Sequence, residues 1–292
     1  MLYHEVSDHP SRFMDAPSLN VPPILFARQM DYISDHFNII GPDELLDGGY
    51  DRPAVLITFD DGMLGYFNNA VPIMTERQIP SINFLNMDTI EGSSSWAGLV
   101  AYLLETDATF RRLISNETNL PTDTTMLDPG VVRDYLSSVD SEMLTSKSQK
   151  FTGAIASKDD LETVQFNPLV FLGNHLANHN STLTLSTETL TSQYCSNQTR
   201  LNHFPNSRPM FAYPHGRFRH GQNELLRSLG AQAIFYSSEG VNREGFAPIF
   251  NRLSVDSRMT RIEDLIGQVR WVEFRRSMNW DYRGHEAIGY AN

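Results

Sequence analysis

The sequence predicts an α/β fold in which short parallel strands alternate with helices. Apolar segments of strand length recur along the chain, separated by stretches with apolar residues at helical spacing, a pattern typical of parallel β/α architectures. The chain has 292 residues, of which 40% are hydrophobic, so it can bury one large core, as single α/β barrels of this size do. Acidic and histidine side chains follow several predicted strands, at the ends where such barrels carry their active sites.

The predicted strands are short apolar runs in chain order. They span residues 2–6, 37–40, 54–59, 82–86, 169–173, 210–214, 232–237 and 249–255. Helices are predicted between them over residues 25–37, 66–78 and 188–201, and Pro72 is expected to kink the second. Near the C-terminus, Thr260 and Glu263 form a capping box, which predicts a last helix that closes the barrel.

Residues 91–165 interrupt this alternation and are predicted to form a mainly helical insertion. Residues 96–104 have helical spacing, a polar, turn-rich stretch follows, and Asp128 and Pro129 open a further helix. The insertion follows the strand at 82–86, which places it on the face where strand ends carry catalytic groups. The whole of residues 1–292 is therefore predicted to be one catalytic domain with an insertion.

Composition excludes several classes of partner. The formal net charge is −12 and the pI is near 5.1, so neither nucleic acid nor an anionic membrane surface is an expected partner. The single Cys195 cannot form an internal disulfide. No signal peptide is visible, and no window approaches about 18 uninterrupted apolar residues, so we expect no membrane span and a cytoplasmic location.

The run Val-Leu-Ile-Thr-Phe-Asp-Asp-Gly at residues 55–62 brings two adjacent carboxylates to the end of an apolar strand. Since strand side chains alternate between faces, Asp60 and Asp61 point in different directions and can serve different chemical roles. One can bind a metal while its neighbour handles a proton. The alternative is that the pair simply begins a turn, because Asp-Gly is a common turn dipeptide.

Two further predicted strands are followed by candidate site residues. Residues 171–173 are followed by His175 and His179, which on a helical turn would lie on one face and reach one ion. The strand at 210–214 ends in Pro214, His215 and Gly216, which is also compatible with an ordinary exit from a strand into a loop.

Taken in order, these segments resemble the polysaccharide deacetylases, the NodB-homology proteins of carbohydrate esterase family 4. Residues 58–62 match that family's first motif, Thr-Phe-Asp-Asp-Gly, in full. His175 and His179 fit the spacing of its second motif, although Leu176 replaces the hydroxyl residue. Residues 212–216 keep only the last Pro and the Gly of its third motif. The resemblance implies a deformed (β/α) barrel of the NodB type.

The opening Leu-Tyr-His at residues 2–4 and the Tyr-Pro-x-Gly form at residues 213–216 are more similar to the exopolysaccharide branch of the family. That branch acts on poly-N-acetylglucosamine. The resemblance therefore implies metal-dependent hydrolysis of the N-acetyl amide of an amino sugar, with an N-acetylated glycan as partner.

The resemblance also implies roles for individual residues. Asp61, His175 and His179 would hold one divalent metal, with zinc expected first and cobalt, nickel or iron as alternatives. Asp60 would be the base that takes a proton from the attacking water. The backbone N–H of His215 would stabilise the oxyanion. The remaining residues assigned to the pocket are Tyr213, Pro214 and His4.

The chain departs from the family pattern at two positions. The motif arginine that pairs with the catalytic aspartate is replaced by Ala212. Arg217 or Arg252 is a candidate substitute, and the alternative for each is an ordinary surface arginine. The late Leu-x-Leu-His motif, whose histidine is the general acid, is not found, which leaves His285 and His4 as candidates for that role.

Three functions are compatible with these residues. We expect a carbohydrate N-deacetylase, and the alternatives are an amide or formamide hydrolase with a non-glycan substrate and a catalytically silent glycan-binding protein.

In the insertion, Trp96 or Tyr102 is a candidate for stacking against a pyranose ring. The competing interpretation is that Trp96, Leu99 and Leu103, which have helical spacing, pack the insertion onto the barrel.

Overall fold

The structure is a computed structural model that describes residues 1–51, 53–118, 127–139, 141–237, 242, 248–255, 259 and 261–277. Parallel strands form one sheet in the order β1-β6-β7-β8-β9-β10-β11. These strands are β1 (Leu2–Tyr3), β6 (Ile57–Asp60), β7 (Ser81–Leu85), β8 (Val170–Asn174), β9 (Ser207–Ala212), β10 (Ala233–Phe235) and β11 (Ile249–Phe250). Two small parallel pairs flank the sheet: β2 (Glu5–Val6) with β3 (Asn20–Val21), and β4 (Asn38–Ile39) with β5 (Ala54–Val55).

The two ends of the sheet are joined by backbone hydrogen bonds. The N–H of Leu2 donates to the carbonyl of Leu253 at 2.8 Å, and the N–H of Val255 donates to the carbonyl of Leu2 at 2.8 Å. The segment after β11 thus lies beside β1 and closes the sheet into a deformed barrel. The predicted fold class is confirmed, but strand-like backbone closes the ring rather than the last helix.

Helices surround the barrel, as the alternating pattern predicts. They are α1 (Arg12–Asp15), α2 (Pro23–His36), α3 (Pro42–Asp47), α4 (Val71–Glu76), α5 (Met87–Ile90), α6 (Trp96–Thr106), α7 (Ala108–Thr118), α8 (Pro129–Ser137), α9 (Ser141–Thr152), α10 (Lys158–Val164), α11 (Thr187–Leu201), α12 (Gln222–Ser228) and α13 (Ile262–Ser277). The helix predicted at 66–78 begins as a π-helical turn, Tyr66–Ala70, and continues as α4 with Pro72 in its first turn. Within the described part of the chain, no helix combines the length and apolar character needed to cross a membrane.

Apolar side chains fill the inside of the barrel and coat its outside. The inner cluster contains Leu56, Ile82, Phe84, Met210, Ala212, Ala233, Phe235 and Phe250. Side chains alternate between the two faces of a strand. Thr58 and Asp60 of β6 therefore point into the barrel, as does Leu56 just before the strand. Outer clusters fill the space between sheet and helices, one around Phe26 and Phe59 and another around Tyr194 and Phe211. The barrel interior is thus mainly apolar, and Asp60 lies at the end of the interior where the strands have their carboxyl ends.

The insertion has a small core of its own, built by helices α6 to α8. This core contains Leu99, Val100, Leu103, Phe110, Ile114, Leu127 and Val132. Trp96 packs against that core, and the ring of Tyr102 lies 5.7 Å from the ring of Phe151, so both aromatic side chains pack within the insertion. This arrangement supports packing over a sugar-stacking role for the two residues.

The end of the insertion returns to the barrel. Residues Ala156, Leu161 and Val164 belong to the outer core around Phe59 rather than to the insertion core. Ile155 forms an antiparallel bridge with Met63, which is two residues after Asp61. The segment predicted as insertion therefore includes about ten residues at its C-terminal end that support the barrel and the loop carrying Asp60 and Asp61.

We expect Leu161→Ala to lower the free energy of unfolding by about 2–5 kcal/mol, because a fully buried leucine in a close-packed core leaves a cavity. Urea unfolding followed by circular dichroism measures the change. Glu162→Ala on the exposed side of the same helix is the control, expected within about 0.5 kcal/mol of the wild type. Equal stability of the two variants would mean that α10 is not part of the barrel core.

Candidate active site at the mouth of the barrel

The carboxyl ends of the barrel strands meet at one mouth, where the candidate residues lie. Asp60 is the last residue of β6, and Asp61 follows it. His175 comes directly after β8, and Arg252 lies two residues beyond β11. Since all these strands are parallel, their ends share one edge of the barrel, and residues far apart in sequence are brought together.

A buried ion pair links Asp60 to Arg252. The two guanidinium nitrogens Nη1 and Nη2 donate to Oδ1 and Oδ2 of Asp60, both at 2.7 Å, in a bidentate arrangement. The exposed fractions are 3% for Asp60 and 2% for Arg252. Arg252 also donates from Nε to the carbonyl of Tyr236 at 3.0 Å, and its guanidinium lies over the ring of Phe84. Arg252, rather than Arg217, thus occupies the place of the missing motif arginine.

The two aspartates differ in their electrostatic surroundings. Burial raises the pKa of Asp60, but the charge of Arg252 and its hydrogen bonds outweigh this effect, so the pKa lies below its usual value. Burial raises the pKa of Asp61 to about 6, and the neighbouring Asp60 carboxylate acts in the same direction. Asp60 is therefore held as an anion by a fixed cation, whereas Asp61 is a partly exposed carboxylate that a bound cation would stabilise.

A left-handed turn separates the directions of the two carboxylates. Asp61 has φ +72°, and its N–H donates to the carbonyl of Phe84 at 3.0 Å. Gly62 follows with φ +69°, and a Cβ atom there would lie 2.9 Å from Cδ2 of Leu85 and 3.0 Å from Cδ1 of Ile90. A residue with a Cβ atom here would be strained by the left-handed backbone and would also have to displace the side-chain ends of Leu85 and Ile90, so glycine is favoured.

Asp61 lies against both histidines of the second motif. Its Oδ1 is 3.2 Å from Nε2 of His179 and 3.5 Å from Nε2 of His175. The predicted helical turn between the histidines is wrong: Leu176 and His179 have φ +63° and φ +61°, so the segment is a series of tight turns. The left-handed residues fold the loop back on itself and bring the two rings to 4.8 Å.

These three side chains fit a divalent ion. One ligand atom from each of Asp61, His175 and His179 lies within 4.8 Å of the others. The carboxylate-to-nitrogen distances are close to the roughly 3.3 Å that separates neighbouring ligands of a tetrahedral zinc ion. Nδ1 of His175 donates to the carbonyl of Ala212 at 2.8 Å, which leaves Nε2 with a lone pair toward Asp61. Burial lowers the pKa of both histidines, which favours the neutral form that binds metal.

Two further histidines border this group. His4 lies between β1 and β2, and burial lowers its pKa although the charges of Asp61 and Asp60 act in the opposite direction. Its Nδ1 is buried and makes no hydrogen bond within the described part of the chain. The ring of His215 lies 4.5 Å from that of His179, and its φ of +59° turns the chain sharply after β9. The structure thus places both residues at the mouth, beside the carboxylates and the paired histidines.

The expectation that the Tyr213 side chain lines the pocket needs correction. Its ring packs against Tyr236, and its hydroxyl donates to Oδ1 of Asn223 at 3.0 Å, in the outer core behind the strand. Alternation along the strand directs residue 213 outward. Pro214 is buried and opens the short turn that carries His215. His285 lies outside the described residues.

Sequence reasoning missed two buried polar residues next to the site. Asn86 directly follows β7 and donates to backbone carbonyls of the histidine loop. Glu5 is 6% exposed and accepts a hydrogen bond from the N–H of Gly65 at 3.1 Å. Asn86 follows β7 as Asp61 follows β6, so its position at a strand end was the available signal, whereas Glu5 lies within β2 and carried no such signal.

Comparison with known proteins identifies the family of this barrel. The polysaccharide deacetylase family model matches residues 47–234, more than half of the chain. The chain belongs to the polysaccharide deacetylase family. His4 and Arg252 lie outside the matched stretch. No curated protein sequence matches the chain.

Several solved structures share the fold. The deacetylase PplD of Streptococcus pyogenes, solved in complex with acetate, has 16% identity and a TM-score of 0.62 over 92% of this chain and 96% of its own. IcaB from Ammonifex degensii has 19% identity and a TM-score of 0.60, covering 91% and 95%. A de-N-acetylase from Aggregatibacter actinomycetemcomitans has 14% identity and a TM-score of 0.58, covering 92% and 98%.

The buried Glu5 generates a pH prediction. Burial raises the pKa of Glu5 to about 7 from an ordinary 4.5, although the N–H of Gly65 acts against this. The folded protein then binds more protons than the unfolded chain, so this contribution to stability is complete below pH 4.5 and is lost as the pH rises through about 7. The loss amounts to about 3 kcal/mol.

Glu5→Gln keeps the acceptor for Gly65 but does not ionise. We therefore expect its stability relative to the wild type to increase with pH between about 4.5 and 8. Urea unfolding at a series of pH values measures the difference. A difference independent of pH would show that Glu5 titrates normally in the folded protein.

Proposed function

We propose that the protein is a divalent-metal-dependent N-deacetylase that hydrolyses the N-acetyl amide of an amino sugar in a polysaccharide or surface-glycan precursor. The observation that carries this proposal is the Asp60–Arg252 pair beside the group formed by Asp61, His175 and His179. A base held as an anion thus lies next to three ligands for one ion. Similarity to the exopolysaccharide branch makes poly-N-acetylglucosamine the first substrate to test.

Asp61, His175 and His179 would hold the ion, with zinc expected first and cobalt, nickel or iron as alternatives. When bound, such an ion supplies Lewis-acid polarisation and lowers the pKa of water. Burial keeps both histidines neutral, and the fold holds the Asp61 carboxylate close to them. The hydrogen bond from His175 to Ala212 fixes the orientation of one ligand.

Asp60 would act as the general base. Water attacks the carbonyl carbon of the acetamide, and Asp60 takes the proton that this water loses, while Arg252 keeps the carboxylate oriented. The backbone N–H of His215 would donate to the developing oxyanion, as the resemblance implies. Both groups are held by rigid backbone at strand ends, which favours preorganisation.

His4 would supply the proton that an amine leaving group requires. Collapse of the tetrahedral intermediate breaks the C–N bond, and protonation of that nitrogen gives the free amino sugar and acetate. His4 is the candidate that the structure describes, and it lies among the charges of Asp60 and Asp61. Burial lowers the pKa of His4, and the charges of Asp61 and Asp60 act in the opposite direction, toward the protonated form that a proton donor requires.

The alternative of a silent glycan-binding protein follows from two departures from the family pattern, the missing motif arginine and the missing late histidine. Arg252 makes the bidentate contact with Asp60 that this arginine would make, so the loss of that motif does not imply loss of turnover. An amide hydrolase acting on a smaller substrate would use the same groups, and substrate assays distinguish it.

The function is tested by acetate release from N-acetylglucosamine oligomers together with metal analysis. We expect metal-loaded wild-type protein to release acetate. Asp60→Asn should retain the metal and lose about 10²–10⁴ in rate, because only the base is removed. His175→Ala should lose metal and activity together, because a ligand is removed.

The matched control is Asp61→Asn, the same substitution one residue along. It is expected to weaken metal binding, whereas Asp60→Asn is not. If Asp60→Asn lost the metal and Asp61→Asn kept it, the roles of the two carboxylates would be reversed. A metal-loaded protein that hydrolyses small formamides but no glycan would overturn the substrate assignment.

The role of His4 is tested with two leaving groups. His4→Gln should slow deacetylation of the sugar amide by about 10²-fold or more, since an amine leaves only when protonated. Hydrolysis of nitrophenyl acetate should change little, because its phenolate leaves without a proton. Stopped-flow or endpoint kinetics on metal-loaded protein compare the two. Equal losses with both substrates would indicate that His4 only supports the shape of the site.

A further inference from the structure

The loop that carries the paired histidines is held through its backbone carbonyls. Nδ2 of Asn86 donates to the carbonyls of His175 and of Leu176, the latter at 3.0 Å. The N–H of Asp88 donates to the carbonyl of Ala177 at 2.9 Å. Three consecutive carbonyls of the loop are therefore bound by the segment that follows β7.

Two further asparagines connect this segment to the loop. Asn197 on α11 accepts from the N–H of Met87 at 2.8 Å and donates to Oδ1 of Asn174 at 2.8 Å. Oδ1 of Asn174 also accepts from the N–H of Leu176 at 3.0 Å. Asn86, Asn174 and Asn197 have exposed fractions of 2%, 0% and 0%, so these bonds are shielded from water. We call these three residues the asparagine clamp.

The backbone of the loop explains why a clamp is needed. Leu176 and His179 have φ +63° and φ +61°, a region that side chains with a Cβ atom rarely adopt. Such conformations persist only where surrounding contacts over-determine them. Without the bonds to Asn86, the loop would relax toward common backbone angles, and the rings of His175 and His179 would move apart.

We propose that the asparagine clamp is a positioning device that sets His175 and His179 in ligand geometry before any ion binds. This inference rests on the proposed function, since it assigns the clamp's purpose to the ion held by Asp61, His175 and His179. None of the three asparagines offers an atom to the ion. They act on affinity through the orientation of the ligands.

The test compares Asn86→Ala with Asn206→Ala. Asn206 is also buried, at 6% exposure, and its Nδ2 donates to two carbonyls, those of Val164 and Val170, at the opposite end of β8. Both variants lose one buried amide and two hydrogen bonds. Only Asn86→Ala removes hydrogen bonds to the loop that carries His175 and His179.

Metal-free proteins are titrated with Zn²⁺ by calorimetry, and thermal unfolding is recorded for each. We expect Asn86→Ala to bind Zn²⁺ about 10–100-fold more weakly than the wild type, as other outer partners of metal ligands do. Asn206→Ala should stay within about threefold, even if its unfolding temperature falls equally. Unchanged affinity in Asn86→Ala, or an equal loss in Asn206→Ala, overturns the proposal.

Two measurements cover the case in which Asn86→Ala does not fold. Asn86→Ser retains a donor for one carbonyl, and an intermediate loss of affinity is expected. Hydrogen exchange on the metal-free wild type needs no variant: the amides of His175 and Leu176 should already be protected, because they donate to Leu85 and Asn174. Fast exchange that slows only when Zn²⁺ is added would show that the ion orders the loop.

Failure of the inference is distinguishable from failure of the proposed function. A wild type that binds no divalent ion refutes the proposed function and, with it, the purpose assigned to the clamp. A wild type that binds Zn²⁺ and releases acetate, with unchanged affinity in Asn86→Ala, refutes the clamp alone.

Discussion

The buried ion pair between Asp60 and Arg252 is the constraint on which the rest of the site depends. Its partners lie 192 positions apart in sequence, so it forms only when the barrel is closed by the hydrogen bonds between Leu2 and residues 253–255. A carboxylate at 3% exposure needs such a partner, because leaving one buried charge alone costs about 3–5 kcal/mol. The ionised state of Asp60, the candidate base, therefore depends on the folded barrel that positions Arg252.

Backbone strain is concentrated around this pair. Asp61, Leu176, His179 and His215 all have positive φ, and all lie at the mouth of the barrel or on the histidine loop. Strained residues survive where rigid surroundings hold them, and here those surroundings are strand ends, the turn at Gly62 and the asparagine clamp. The arrangement gives side chains directions that regular helices and strands do not provide. Because these backbone conformations depend on many contacts, the geometry of the site requires the whole folded barrel.

The sequence by itself determined the fold class and the candidate residues that depend on local pattern. The alternation of apolar strands and helices predicted a parallel α/β architecture, since periodicity reflects burial of each segment, and the resemblance to the polysaccharide deacetylases implied the deformed barrel. Asp60, Asp61, His175 and His179 were found because each follows a strand at motif spacing. Within each motif the residues lie a few positions apart, and the chemistry of each side chain can be inferred without knowledge of its neighbours in space.

Only the tertiary structure decided how these residues meet. It selected Arg252 over Arg217 as the partner of Asp60, replaced the expected helical turn by left-handed turns, and turned the ring of Tyr213 away from the site. It also revealed Asn86, whose partners are backbone carbonyls about 90 residues away. Such contacts join distant segments through closure of the barrel, and neither composition nor periodicity records which distant segments pair, because that depends on the packing of the whole chain.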